Sequence, residues 1–232
     1  MSRCCAALRR IHRFCVNHLL YPLVLSSLLA GALLGARVYV SRKPTYYFLV
    51  WNLFLAWLPY LFALSVTLLH QRQPRRWWLL LAPAALWLLF LPNAPYIITD
   101  LWHLNERTPI PMWYDIGMLA MFAWTGLFLA VASLNAMQNV VRAYGGRLVG
   151  WLFAFGAIGA SGLGIYLGRF LSWNSWDLIF QPRGVLTDIA VRVAHPIRYS
   201  QTYGVALLFA AFFLVCYVTF ASVEHRQLEK IG

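Results

Sequence analysis

The chain reads as an all-α protein, a polytopic transmembrane helical bundle of six spans with short interfacial helices in its outer loops. Three observations lead there. Hydrophobic residues fill 61% of the 232 positions and charged residues only 11%, where a soluble domain carries about a quarter charged. Apolar runs long enough to cross a hydrocarbon core of about 30 Å recur along the sequence. None of these runs alternates as a barrel strand does, so helices are left to satisfy the backbone polar groups within lipid.

In chain order, residues 1–18 form a basic arm. The spans are expected near 19–40, 46–69, 77–98, 116–137, 148–171 and 203–222, with a tail over 223–232. No Pro/Gly/Ser linker interrupts the spans, so they read as one domain. The start has the outline of a signal peptide, but the run stays apolar through Val38, Tyr39 and Val40. An uncleaved first span fits better. Cys4, Cys5 and Cys15 precede it and Cys216 lies in the sixth span, which implies no disulfide framework. The Cys4, Cys5, His12, Cys15 spacing matches no zinc pattern.

The net charge of +12 would suggest nucleic acid in a soluble protein. Here the basic residues mark the ends of apolar runs, so membrane surface explains them and nucleic acid is excluded as a partner. With the N-terminus inside, eleven of the nineteen Lys and Arg fall on the inner side, including Arg3, Arg9, Arg10 and Arg13 beside the first span. Both termini are therefore expected in the cytoplasm. The inner connections, 71–76 and 138–147, are short and basic. The second and third outer ones, 99–115 and 172–202, are long and rich in Trp, Pro and acidic residues, with Asp100, Glu106, Asp115, Asp177 and Asp188 in or beside them.

These two outer connections hold the chemistry-bearing residues. Pro92 and Pro95 bracket Asn93 and should break the third span. Thr99 can cap a new turn in which Asp100 and His103, three apart, share a face. Such a pair can act as base and orienting partner, or as two ligands of a divalent metal. Alone, it is better read as polar residues capping an interfacial turn. Asp115 heads the fourth span, where it suits the helix dipole. Arg169 ends the fifth, with Asn174 and Asp177 following. An arginine at that depth needs a carboxylate, from Asp177 or the other loop, and can otherwise clamp an anionic group. The candidate catalytic residues are thus Asp100, His103, Asp115 and Asp177, and the candidate substrate contacts Asn93, Arg169 and Asn174.

Two structural expectations complete the reading. Gly156, Ala160, Gly164 and Gly168, with Gly31 and Gly35 in the first span, form small-residue stripes read as packing within the bundle. In the third outer connection Thr187 and Asp188 can cap an interfacial helix with Ile189, Val193 and Ile197 along one side and Arg192 and His195 elsewhere, ended by Pro196. Trp102, Trp113, Trp173 and Trp176 suit an aromatic belt.

Residues 91–96, LPNAPY, then Thr99, Asp100, Leu101, His103 and Leu104, and later Gly168, Arg169 and Phe170 with Trp173, Asn174, Ser175, Trp176 and Asp177, resemble the signature of the Domain of Unknown Function 1361 family of bacterial multi-pass membrane proteins. The resemblance covers roughly residues 46–220. It implies a bacterial cytoplasmic membrane but no activity. Ser172 stands where relatives often carry a basic residue, which weakens an anion-binding role for that stretch.

Three function classes remain. The first is an enzyme at the outer face acting on a lipid-linked or envelope substrate, with an anionic small molecule as the other ligand class. The second is a transporter component, which the scarcity of charge in the middles of the spans disfavours, leaving Asn52 and Asn135 there. The third is a non-catalytic subunit whose outer loops hold a structural network or dock a partner.

Overall fold

The structure is a computed structural model that describes residue 9, residues 12–105 and residues 109–229, with side chains as far as Ser222. Glu106, Cys4 and Cys5 lie outside the described residues. No β-strand occurs among the described residues, and five helices are long and apolar enough to cross a membrane. The protein is a helical membrane bundle.

The first crossing helix, α1 (Leu20–Ser41), is followed by α2 (Phe48–Arg72). A 3₁₀ turn (Trp77–Leu80) leads into α3 (Leu81–Phe90), then α4 (Asn93–Tyr96) and a second 3₁₀ segment (Ile97–His103). The long α5 (Met112–Leu171) precedes two short elements, α6 (Asp177–Phe180) and α7 (Pro182–Ala194), and α8 (Ser200–Glu229) closes the order. The centre of the bundle is α5. In its most apolar window 67% is buried, against at most 33% in the other crossing helices.

The stretch 138–147, expected as a loop, is helical on both sides of a single break at Gly146 (φ 78°, ψ −177°). That backbone region is open essentially only to glycine. Gln138 Nε2 donates to the Gly150 carbonyl at 3.2 Å, although twelve residues of straight helix would span about 18 Å. The two limbs of α5 therefore lie side by side as a hairpin. Gln138 also accepts a 2.6 Å bond from Tyr217 Oη, which ties α8 to the turn. The helix persists through 138–145 because this buried glutamine has partners on both sides. Gly146→Ala is expected to cost about 2 kcal/mol of backbone strain. It should lower the melting temperature in detergent by roughly 4–8 °C for a chain of this size.

The small-residue stripes pack only in part. An added Cβ at Gly164 would meet Pro92 Cγ at 2.5 Å and one at Gly168 would meet Tyr96 at 3.3 Å, but Gly31, Gly35 and Gly156 have nothing within 4 Å. The tightest helix approach is one face over, where Gly162 lies against the Ala206 carbonyl of α8. The stripe identified spacing but not which face had a neighbour.

The third outer connection also differs from expectation. Its helix α7 begins at Pro182, a good first-turn residue, so Thr187 and Asp188 lie mid-helix and cap nothing. Val185 and Arg192 are its buried positions. Val193 and Ile197 are exposed. Arg192 turns inward because Asp188, one turn earlier, accepts from it at 3.0 Å.

Candidate functional site

Pro92 and Pro95 end α3 as their missing N–H groups require, and the chain tightens into the 3₁₀ segment Ile97–His103. In a 3₁₀ helix residues i and i+3 eclipse one another, which stacks Asp100 and His103. Thr99 does not cap this turn; its hydroxyl donates to the Tyr96 carbonyl at 2.7 Å.

Arg169, at the end of α5, reaches this stack. Its Nη1 lies 3.8 Å from Asp100 Oδ1 and donates to Tyr96 Oη at 3.4 Å. Its Nη2 donates to the Thr99 carbonyl at 2.9 Å and meets His103 Nε2 at 3.1 Å. Arginine has only donors, so in this contact the imidazole nitrogen is the acceptor. Asp100 is 1% exposed, and its second oxygen accepts from Asn52 Nδ2 at 2.7 Å. The carboxylate, the imidazole and the guanidinium form one cluster in which each faces protein. The guanidinium sits where a divalent cation shared by Asp100 and His103 would have to compete with it. Among the described residues no group of three or more His, Cys, Asp or Glu is placed to hold a metal ion.

The remaining predicted residues lie elsewhere. Asp115, in the first turn of α5, forms a two-pronged pair with Arg37 of α1, Nε to Oδ1 at 2.7 Å and Nη2 to Oδ2 at 2.9 Å. Both side chains are 1% exposed. Asp177 does not reach Arg169; it accepts from the Asn174 backbone N–H at 2.7 Å and its side-chain amide at 3.3 Å, which shapes the turn before α6. Asn93 donates to the Phe90 carbonyl at 3.0 Å, which the Ala94 N–H leaves by donating to Leu91, and to the Ser175 hydroxyl at 2.7 Å. That bond joins the two motif-bearing segments. Trp173 Nε1 donates to Asp188 Oδ2 at 2.7 Å, so this tryptophan is pinned, whereas Trp102 and Trp113 are exposed as in an aromatic belt.

Beside the cluster lies a cavity of about 480 Å³, within the range of small-molecule sites. Asn52, Asn93, Tyr96, Asn174 and Ser175 supply its polar lining, and Leu55, Leu89, Leu163 and Leu167 much of its apolar lining. Asn52 and Tyr96 also touch the charged cluster, so they are shared walls. Trp51 and Leu88, at 53% and 45% exposed, put the opening on a helix surface that faces lipid in a membrane.

A second cavity of about 280 Å³ is lined by Thr67, His70, Asn135 and Asn139 among others. From Asn52 to His70 is eighteen residues of α2, or about 27 Å, so it lies toward the other end of the bundle. The α2 residues lining the two cavities point roughly 120° apart around the helix axis. They do not line one path along α2.

A family model described as a protein of unknown function, DUF1361, matches residues 51–220. The chain belongs to the DUF1361 family. No curated protein and no solved structure matches it. The DUF1361 region contains Asn52, Asn93, Asp100, Arg169 and Asn174, so the cluster and the cavity beside it fall wholly within the family's extent. Arg37 and Tyr46 precede it.

Reading this DUF1361 chain by its motifs missed Arg37, Asn52 and Tyr96 as partners. Arg37 carried a usable signal, since a charge inside an apolar run of α1 must find a counter-charge. Asn52 reads from sequence only as a polar residue within a span; its alignment with Asp100 depends on how α2 is rotated, which no local pattern states.

Proposed function

We propose that this end of the bundle binds an amphiphile, a lipid-linked molecule whose headgroup lies among Asn52, Asn93, Tyr96 and Asn174 while its chain follows the leucines. The observation that carries the reading is the cavity itself, lined by side-chain amides and hydroxyls together with leucines and bordered by the lipid-exposed Trp51 and Leu88. Polar amides are costly in a membrane unless they are used. In this reading Asp100, His103 and Arg169 hold the polar lining in shape. They do not touch the ligand, because Asp100 is enclosed by Asn52 and Arg169, and His103 Nε2 by Arg169. The two limbs of α5 count as separate crossings, giving six spans of a cell membrane protein. The excess of basic residues on the other side then sets the cavity on the outer face with both termini inside.

The test is to fill the cavity. Ala160 lines it and is exposed to it, so Ala160→Trp should fold normally and lose most of any lipid that survives purification in mild detergent, read by native mass spectrometry. An unchanged lipid complement at an unchanged melting temperature would sink the idea.

A second reading has one specific observation behind it. Asp115 and Arg37 form a closed pair that lines no part of the cavity, which shows that this protein does use buried carboxylates for architecture. On that reading the Asp100 cluster is likewise a loop clamp in a non-catalytic subunit, and Ala160→Trp changes nothing.

A further inference from the structure

We infer that the headgroup is uncharged and polyhydroxylated, a sugar on a lipid tail; this rests on the amphiphile-binding reading above. The orientation of three amides carries it. Asn52 Nδ2 faces the Asp100 carboxylate, Asn93 Nδ2 the Phe90 carbonyl, and Asn174 Nδ2 the Asp177 carboxylate. Carboxylates and backbone carbonyls only accept, so the amide nitrogen and oxygen cannot be exchanged in any of the three. Each nitrogen gives a hydrogen to the protein, and Asn93 gives both, while Asn52 and Asn174 keep a second N–H. The three carbonyl oxygens meet no protein donor among the described residues and are left for whatever occupies the cavity.

An acceptor-rich lining selects the ligand. A phosphate oxygen could accept from the Ser175 and Tyr96 hydroxyls and the remaining amide hydrogens, but it would meet the three carbonyls lone pair against lone pair, and the described lining holds no Lys, Arg or His to outweigh that. Arg169, which touches Tyr96, has its charge balanced by Asp100. A hydroxyl donates to such carbonyls. It can also accept, because Ser175 Oγ and Tyr96 Oη each accept from a neighbour and keep their own hydrogen to give. Hydroxyls that both give and receive are what a sugar ring displays.

Aromatic geometry points the same way. Trp173 is fixed by its bond to Asp188 and backed by Gly184, where an added Cβ would lie 2.9 Å from the indole. A held indole offers a flat apolar face to the C–H side of a pyranose without losing further side-chain freedom. Donor-rich hydroxyls, acceptor carbonyls and a fixed ring together favour a glycolipid over a phospholipid.

The experiment uses the full chain in nanodiscs of neutral lipid. Monoglycosyl diacylglycerol, diacylglycerol, phosphatidylglycerol and a long-chain primary amine are each titrated, with tryptophan fluorescence and native mass spectrometry as readouts. The glycolipid should bind about tenfold or more tighter than the other three. Asn174→Leu, in an exposed turn, should bring glycolipid binding down toward that of diacylglycerol and so erase most of that preference. Equal binding of all four, tighter binding of the phosphatidylglycerol or the amine, or a preference that survives Asn174→Leu overturns the sugar and leaves the amphiphile site standing. Binding of none, or binding of the glycolipid that Ala160→Trp does not weaken, overturns both.

Discussion

Asp115→Ala is expected to lower stability by about 3–5 kcal/mol, the cost of breaking a buried ion pair from one side. Its partner Arg37 is 1% exposed and would keep a full charge with no carboxylate near it. The Tyr46 ring, 4.4 Å from the guanidinium carbon, offers a cation–π contact worth about 2 kcal/mol when desolvated, which does not replace two charge-assisted hydrogen bonds. Arg37→Ala should do similar damage from the other side. The informative variant is the double replacement of Arg37 and Asp115 by leucine. Burying a matched pair costs desolvation on both partners, and Arg37 Nη1 is buried without a hydrogen-bond partner. An apolar substitute for both is therefore expected to recover most of the lost stability. Size-exclusion profiles after heating in detergent report all three. Single variants that melt within about 2 °C of the parent would contradict the assignment, since the expected loss corresponds to roughly 6–20 °C.

Gly162→Ala should destabilise the bundle by about 3 kcal/mol, while Gly156→Ala should leave it as stable or up to about 1 kcal/mol more stable. The two glycines lie in the same limb of α5. A Cβ at residue 162 meets the Ala206 carbonyl oxygen well inside contact distance and the Ala210 Cβ at 3.1 Å, and the first of these is backbone that cannot rotate aside. α8 must move away along its length, which is the overpacking penalty at its upper end. At residue 156 nothing lies within 4 Å, and alanine is the better helix former by about 1 kcal/mol. Equal melting temperatures for the two variants would show that α8 is not seated against this limb as described.

Much of the architecture was readable because it is written in local terms. The apolar runs gave the helices. Pro92 and Pro95 marked the break before the site, and Arg169 at a helix end called for a carboxylate that Asp100 of the other loop supplies. What could not be read is rotation and depth. Asp115 sits near the same loops in sequence but is claimed by Arg37, 78 residues earlier. Asp177 is close to Arg169 in sequence, yet its backbone neighbour Asn174 holds it. Charge counting shows that a partner is needed and stops short of choosing among partners, because the choice is made by helix packing. The turn at Gly146 was hidden for another reason, since a single residue with positive φ reverses α5 where a short basic connection over 138–147 was expected.

The Arg37–Asp115 pair has a consequence for the order of synthesis. A chain grows at about 5–20 residues per second, so the 78 residues between the partners separate their arrival by roughly 4–16 s. Over that interval α1 is already made and carries an arginine four residues from its end, at Ser41, with its partner Asp115 not yet translated. A long basic side chain in that position can reach toward the headgroups while it waits. The first helix is thus free to sit shallow or shift along its axis early on, and it is fixed at its final depth only when α5 brings the carboxylate alongside.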